Sequence, residues 1–416
     1  MDTPPIDRRR FLQGTTGGLA GVVAGCIGGD DTADDDETNG ESGTDDGTDD
    51  GTGPGNGGSV DEGVVYAFGP DAISVVDPED GSIVGEMTAG LSAEGWGDTQ
   101  ITHDLTKVFA VRESPTQLLV IDTATHEIVD EVDIGPGATH VYHPVDDEVW
   151  AHADDEGTFY VVDVDSHDVI ATVESGLDGE GHGKLLYHES MGGVGYATNV
   201  NDPGMPIIDL EAYERSGFVE FDDGDQGTHY KAYSPQNGLV YAEFGDETVV
   251  VDPESEDVVD TLDVSGGMYL TPDESMLGVL DGDTVHFIDV TDDAGEEIAA
   301  VEVEGGPDAL RYHESDDGTY AFTANTMTDR AAVVDLDGFD LVDELDVGYI
   351  HRPDGAHHLH RTGVAGNGYF VTPADADDIV AIVDMEERSV EHVDRPGVDT
   401  VQIVADSGTG YSGRAR

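Results

Sequence analysis

One phrase recurs eight times along the chain, and it restricts the fold more than any other feature of the sequence. A short apolar run closes on aspartate in SVVD at Asp77, LVID at Asp122, YVVD at Asp163 and PIID at Asp209. It does so again in VVVD at Asp252, HFID at Asp289, AVVD at Asp335 and AIVD at Asp384, at intervals of 37 to 49 residues. Each copy is followed by a turn and a further alternating segment, as in HEIVDEVDIG. Each is preceded by two more short runs, as in THVYHP and EVWAHA. Period-two alternation and a repeat length in the forties define four-stranded blades around an axis, not a helical solenoid. No window carries helical periodicity; residues 210–217 form at most one turn. The expected fold is all-β, an eight-bladed β-propeller, with seven blades as the runner-up if one phrase is a decoy.

The ends of the repeat region are informative. Blade one begins at its second strand, 63–68, and 398–406 is a spare innermost strand. The C-terminal strand is therefore expected to pair into the first blade and close the ring, which removes the exposed edges of an open sheet. The propeller is placed at 60–406, with a disordered tail over 407–416. Tyr196-Ala197-Thr198-Asn199, AFTAN at 321–325 and VIDTATHEIV carry a resemblance to YVTN-type propellers over this whole region. That resemblance implies the fold and leaves function open, since propellers host many functions.

The first 59 residues read differently. Arg8-Arg9, then Arg10, Phe11 and Leu12, precede a short Gly-rich apolar run that is too short for a stable bilayer span. The pattern resembles a twin-arginine export signal. Val23-Ala24-Gly25-Cys26 resembles a lipobox, and Cys26 is the single cysteine of the chain. The resemblance implies that Cys26 is lipidated, that residues 1–26 are a lipoprotein signal, and that the mature protein is held at the outer face of the cytoplasmic membrane. Residues 27–59 are rich in Asp, Gly and Thr and read as a disordered tether.

Charge narrows the partners. Ninety-two Asp and Glu against sixteen Lys and Arg give a formal net charge of −76. Such self-repulsion is tolerable only where salt screens it. The composition resembles that of halophilic archaeal proteins. Nothing basic is available to neutralise phosphates, which excludes nucleic acid as a partner. A lone cysteine excludes a disulfide framework within the chain and a cysteine-based zinc finger. The chain is expected to be a monomer whose partner, if it has one, is a metal transporter or another surface protein.

Aligned blades give two histidine columns. His103, His143, His188 and His313 share a slot with Ser234 and Thr271 and read as turn chemistry. His140, His182, His229 and the pair His357-His358 fall at the entry of innermost strands, with Asp308 and Asp399 in the same column. Residues entering innermost strands converge on one channel mouth. Three imidazoles and a carboxylate suit zinc, copper or nickel, so His140, His182, His229, His357, His358 and Asp308 are the candidate metal ligands. His126, His152, His167, His286 and His392 read as scattered strand or turn residues.

Lysine is scarce, at Lys107, Lys184 and Lys231 only. Lys184 follows His182 by two residues and Lys231 follows His229 by two, which puts each on the histidine's side of its strand. With Arg311, and with Arg352, His360 and Arg361 of 351–363, they form a candidate cationic ring for an anion or a carboxylate-bearing cofactor. Pairing of the lysines with channel carboxylates is the alternative.

Two resemblances bear on these residues. The chain is similar to eight-bladed periplasmic zinc metallochaperone propellers, which implies zinc binding near the channel. It lacks their His/Asp-rich loop, residues 93–99 reading AEGWGDT. It is also similar to the haem-binding propeller of cytochrome-type nitrite reductases, which implies a haem-type tetrapyrrole held by histidines and basic residues. No Cys-x-x-Cys-His is present for electron delivery. No nucleophile elbow, P-loop or distinct catalytic carboxylate pair stands out, and the chain reads as a binding protein before an enzyme. A surface interaction scaffold is the third reading.

Overall fold

A computed structural model of the chain describes residues 63–177, 179–221, 226–352 and 360–405. The expected export signal with Arg8 and Arg9, the expected lipidation site Cys26, residues 27–59, the residues after 405, and His357 and His358 lie outside the described residues.

The described chain forms eight four-stranded antiparallel sheets. Seven are built from consecutive strands. Blade two runs from β4 (Trp96–Ile101) to β7 (Glu127–Asp133), and blade three from β8 (Ala138–Val145) to β11 (Val169–Glu174). Blades four to eight begin with β12 (Gly183–Leu186), β16 (Thr228–Ser234), β20 (Gly267–Leu270), β24 (Pro307–Ser315) and β28 (Val364–Gly366). Blade one combines β1 (Val65–Phe68), β2 (Ile73–Val76) and β3 (Ile83–Met87) with β32 (Thr400–Ile403) from the far end of the chain. Val65 pairs with Ile403 and Phe68 with Thr400, antiparallel. The C-terminal strand thus supplies the missing innermost strand, and there are eight blades. The innermost strand of each blade, β32 in blade one, touches the innermost strands of both neighbours, all the way round.

The recurring aspartate has a local physical role. In all eight copies its side chain accepts backbone N–H groups two or three residues on, such as Glu79 onto Asp77, Ala124 and Thr125 onto Asp122, and Glu387 onto Asp384. This is an Asx turn. The fourth residue after each aspartate has positive φ: Gly81, His126, His167, Tyr213, Glu256, Asp293, Phe339 and Arg388. His126 and His167 are therefore turn-closing residues of the repeat.

The core lies between blades. Tyr66 and Phe68 of blade one pack with Ile101, Val108 and Ile121 of blade two. Phe109 and Val111 pack with Val141 and Val149 of blade three. Second and third strands are buried almost throughout, whereas the outermost strands alternate towards solvent, as in the Glu127–Asp133 strand. Burial on both faces explains the continuous apolar runs before each aspartate. Apart from one turn of 3-10 helix, Glu189–Met191, the described residues form no helix.

Candidate metal centre

Innermost strands bulge where the candidate ligands sit. Register shifts fall between Trp96 and Thr99, Ala138 and His140, Thr228 and Lys231, and Asp308 and Arg311. A bulge bends the strand and re-aims a side chain. Close backbone approach accompanies the turn of the chain. A Cβ on Gly97 would meet the Thr139 carbonyl oxygen at 2.5 Å, and one on Gly183 would meet the Thr198 carbonyl oxygen at 2.4 Å.

Three blades deliver His140, His182 and His229 to one point. One ring nitrogen from each lies within 4.8 Å of the others. The Nε2 atoms of His140 and His182 are 3.0 Å apart, and the His182 and His229 rings lie 5.0 Å apart between centroids. His229 Nε2 is buried and makes no hydrogen bond.

A carboxylate stands behind each imidazole. His140 Nδ1 is 2.7 Å from Asp98, and His182 Nδ1 is 2.6 Å from Asp154. His229 Nδ1 is 3.8 Å from Glu243, an ion-pair distance. The hydrogen bonds at His140 and His182 hold the ring proton on Nδ1 and make Nε2 the basic nitrogen of each ring, as in carboxylate–histidine–metal arrangements. Asp154 is itself fixed by His152 Nδ1 at 2.7 Å, and His152 Nε2 meets Ser175 Oγ at 2.7 Å. Thr139 Oγ1 adds a further contact at 3.1 Å.

Burial pushes His140 and His229 well below the ordinary imidazole range, and the nearby Lys184 charge adds to it. Burial lowers His152 as well, against the pull of Asp154. These rings are neutral, which is the form that ligates metals. Burial would raise Asp154, but hydrogen bonds from His152 and His182 outweigh it and hold the carboxyl low. Burial raises Asp98, with Lys184 and His182 opposing.

Both lysines are buried here. Lys184 Nζ lies 3.1 Å from His140 Nε2 and 5.9 Å from the Tyr230 ring centre. Lys231 Nζ lies 5.7 Å from the Tyr142 ring centre. Burial lowers Lys184 to about 8, with Asp98, Asp154, Asp308 and Glu243 resisting. Burial also lowers Lys231 far, and Lys184 adds to the shift.

The three arginines go elsewhere, Arg352 lying against the Tyr349 ring, and that corrects the expected cationic ring. Arg361 is buried as a clamp. Nε donates to Thr372 Oγ1, and the Nη atoms donate to the carbonyls of Asn325, Gly348 and Val347. Arg311 donates to the carbonyls of Leu310 and Gly363 and lies against Tyr269. A guanidinium has five fixed donors, and unpaired carbonyls at blade junctions compete well for them. Asp308 is also outside the three-nitrogen group. It accepts the Arg361 and Ala309 amides and faces His360 Nδ1 at 3.3 Å. The charged groups acting on Asp399 are Glu113 and Asp375.

The first histidine column serves local structure. The His103 and His143 rings stack at 3.9 Å. His143 Nδ1 donates to the Glu148 carbonyl, and His103 Nδ1 meets Asp146. His188 caps the short 3-10 helix by accepting the Ser190 amide.

Asp98, Asp154, Glu243 and His152 were not among the residues expected from sequence. The carboxylates had no signal among 92 acidic residues. His152 could have been found from its two-residue spacing to Asp154 on the strand that pairs with His140, since His140 and His152 are register partners.

The fold and the site define an eight-bladed propeller with a trio of carboxylate-backed histidines. No protein-family model matches the chain. Among solved structures, it is similar to a dihydro-haem d1 dehydrogenase, NirN, in complex with DHE. The TM-score is 0.65 at 12% identity, over 83% of this chain and 75% of that one. It is similar to AztD of Citrobacter koseri, with a TM-score of 0.59 at 10% identity, over 82% and 96%. It is also similar to the computationally designed Ika8 protein, with a TM-score of 0.57 at 13% identity, over 77% and 96%. The resemblances read from the sequence hold as likenesses of fold.

Proposed function

We propose that this protein binds a divalent transition-metal ion, zinc in the first instance, through the Nε2 atoms of His140, His182 and His229. In this reading it is a metal carrier akin to metallochaperones, exported through the Arg8-Arg9 signal and lipid-anchored through Cys26 outside the cell. The observation that carries the reading is the convergence of three imidazoles from three blades, each with a carboxylate behind its Nδ1. The orphaned His229 Nε2 supports it, because a buried ring nitrogen without a partner is costly. Charge supports it too. The carboxylates of Asp98, Asp154, Asp308 and Glu243 all act on Lys184, and such a gathering of negative charge favours a bound cation. Metal analysis of the intact protein tests the reading. About one equivalent of zinc is expected, and it should be lost in the His182→Ala, His229→Ala double variant; unchanged zinc content in that variant would overturn it.

A second reading rests on the two buried lysines beside the histidines: a haem-type tetrapyrrole or another anionic ligand held at the same site. It requires a visible absorption band in protein from its native host, or uptake of such a ligand by the purified protein.

A further inference from the structure

The position of the Lys184 ammonium has a consequence for how the site loads. His140 Nδ1 is hydrogen-bonded to Asp98, so Nε2 holds the ring's one in-plane lone pair. Lys184 Nζ sits 3.1 Å from that nitrogen, and the chain is fully buried at this point. A zinc ion on the same lone pair would stand about 2.0–2.1 Å from Nε2. An ammonium donating to a lone pair and a metal accepting it cannot share it. We propose that Lys184 is an intramolecular competitor for the metal seat: its ammonium occupies His140 Nε2 in the metal-free protein, and must withdraw for the ion to bind.

This rests on the metal-binding reading and refines it. The site then has two packed arrangements. With Lys184 in, a tethered cation offsets part of the charge of the surrounding carboxylates. With metal in, the ion takes that role, and Lys184 is displaced among Asp98, Asp154, Asp308 and Glu243, the carboxylates that already act on it. The Tyr230 ring, 5.9 Å away, offers a face for the displaced ammonium. A permanent structural zinc site would gain nothing from a lysine aimed at one of its ligands. A site that has to give its ion up would, because the returning ammonium replaces the metal instead of leaving a bare nitrogen. The lysine weakens binding and assists release.

The test compares intact wild-type protein with Lys184→Met and Lys184→Gln, in high KCl at one fixed pH. Zinc affinity is read by competition with a chromophoric chelator, and release is read as the rate of stripping by excess EDTA. Both variants should bind zinc at least about tenfold tighter, since a unit charge a few ångström from the ion is removed from a poorly solvated site. Both should release zinc more slowly. Circular dichroism and thermal melting establish that each is folded. Unchanged or weaker binding in folded variants overturns the competitor, and weaker binding would make Lys184 a ligand. If wild type binds zinc no better than His182→Ala, His229→Ala, the metal reading itself fails, which is a different outcome.

Discussion

The Nε2 atoms of His140 and His182 lie 3.0 Å apart, although 42 residues separate the two histidines in sequence. Each ring is held by a different carboxylate, Asp98 and Asp154, contributed from blades two and three. The pair is therefore set by inter-blade hydrogen bonds, and its metal affinity should depend on residues that never touch the ion.

Asp154→Asn is the sharpest test of that dependence. Asp154 receives Nδ1 of both His152 and His182. An amide there no longer fixes the His182 tautomer. Zinc affinity should fall by roughly ten- to a hundredfold with all three ligands still present. Chelator competition measures the drop; an unchanged affinity would detach Asp154 from the site.

Arg361→Met should destabilise the fold and spare the site. The substitution leaves three carbonyls and one threonine hydroxyl without their buried donor. A loss of about 3 kcal/mol or more is expected, since each orphaned buried acceptor costs about 1–3 kcal/mol. Denaturant unfolding in high KCl measures the loss. The folded fraction should bind zinc as wild type does.

Ring closure can be probed at Val401, which is buried in β32 and pairs with Ala67. Val401→Asp places a carboxylate in the sheet that joins the two ends of the propeller. A loss of several kcal/mol is expected. The conservative Val401→Ile should stay within about 1.5 kcal/mol of wild type. Equal stability of the Asp variant would mean that the closing strand contributes little.

Acid stability should depend on His143. Burial lowers this ring to about 4, against 6.5 for an ordinary histidine, with the Glu148 carbonyl resisting. The native state therefore binds fewer protons than the unfolded chain between pH 4 and 6.5, and stability falls as pH falls through that window. The full penalty is on the order of 3 kcal/mol, reached below about pH 4. His143→Gln removes the titration. Its deficit against wild type, measured by denaturant unfolding, should be largest above pH 7 and shrink towards pH 4. A constant deficit would show that the ring is not buried in neutral form.

Salt should matter more than for an ordinary propeller. At a formal charge of −76 the folded chain repels itself strongly, and screening shortens that repulsion to about 3 Å at 1 M salt. The melting temperature should rise steeply with KCl and level off at molar concentrations. A flat profile would remove the halophilic reading of the composition.

The blade count, the ring closure and the all-β class were legible in the sequence because each is a local pattern repeated. An apolar run is a strand buried on both faces, its terminal aspartate is an Asx turn, and eight copies are eight blades. The convergence of His140, His182 and His229 was legible as far as column position goes, since equivalent positions in neighbouring blades must lie near one axis. What sequence left undecided was direction and partnership. Arg311 and Arg361 stand as near the columns as the lysines do, yet backbone carbonyls at blade junctions take their donors. Asp98, Asp154, Glu243 and His152 become neighbours of the imidazoles only through strand pairing within blades and packing between them. Local periodicity determines which segments become strands and in what order. Which side chain faces which is decided by packing between blades, where atoms distant in sequence compete for the same buried donors and acceptors.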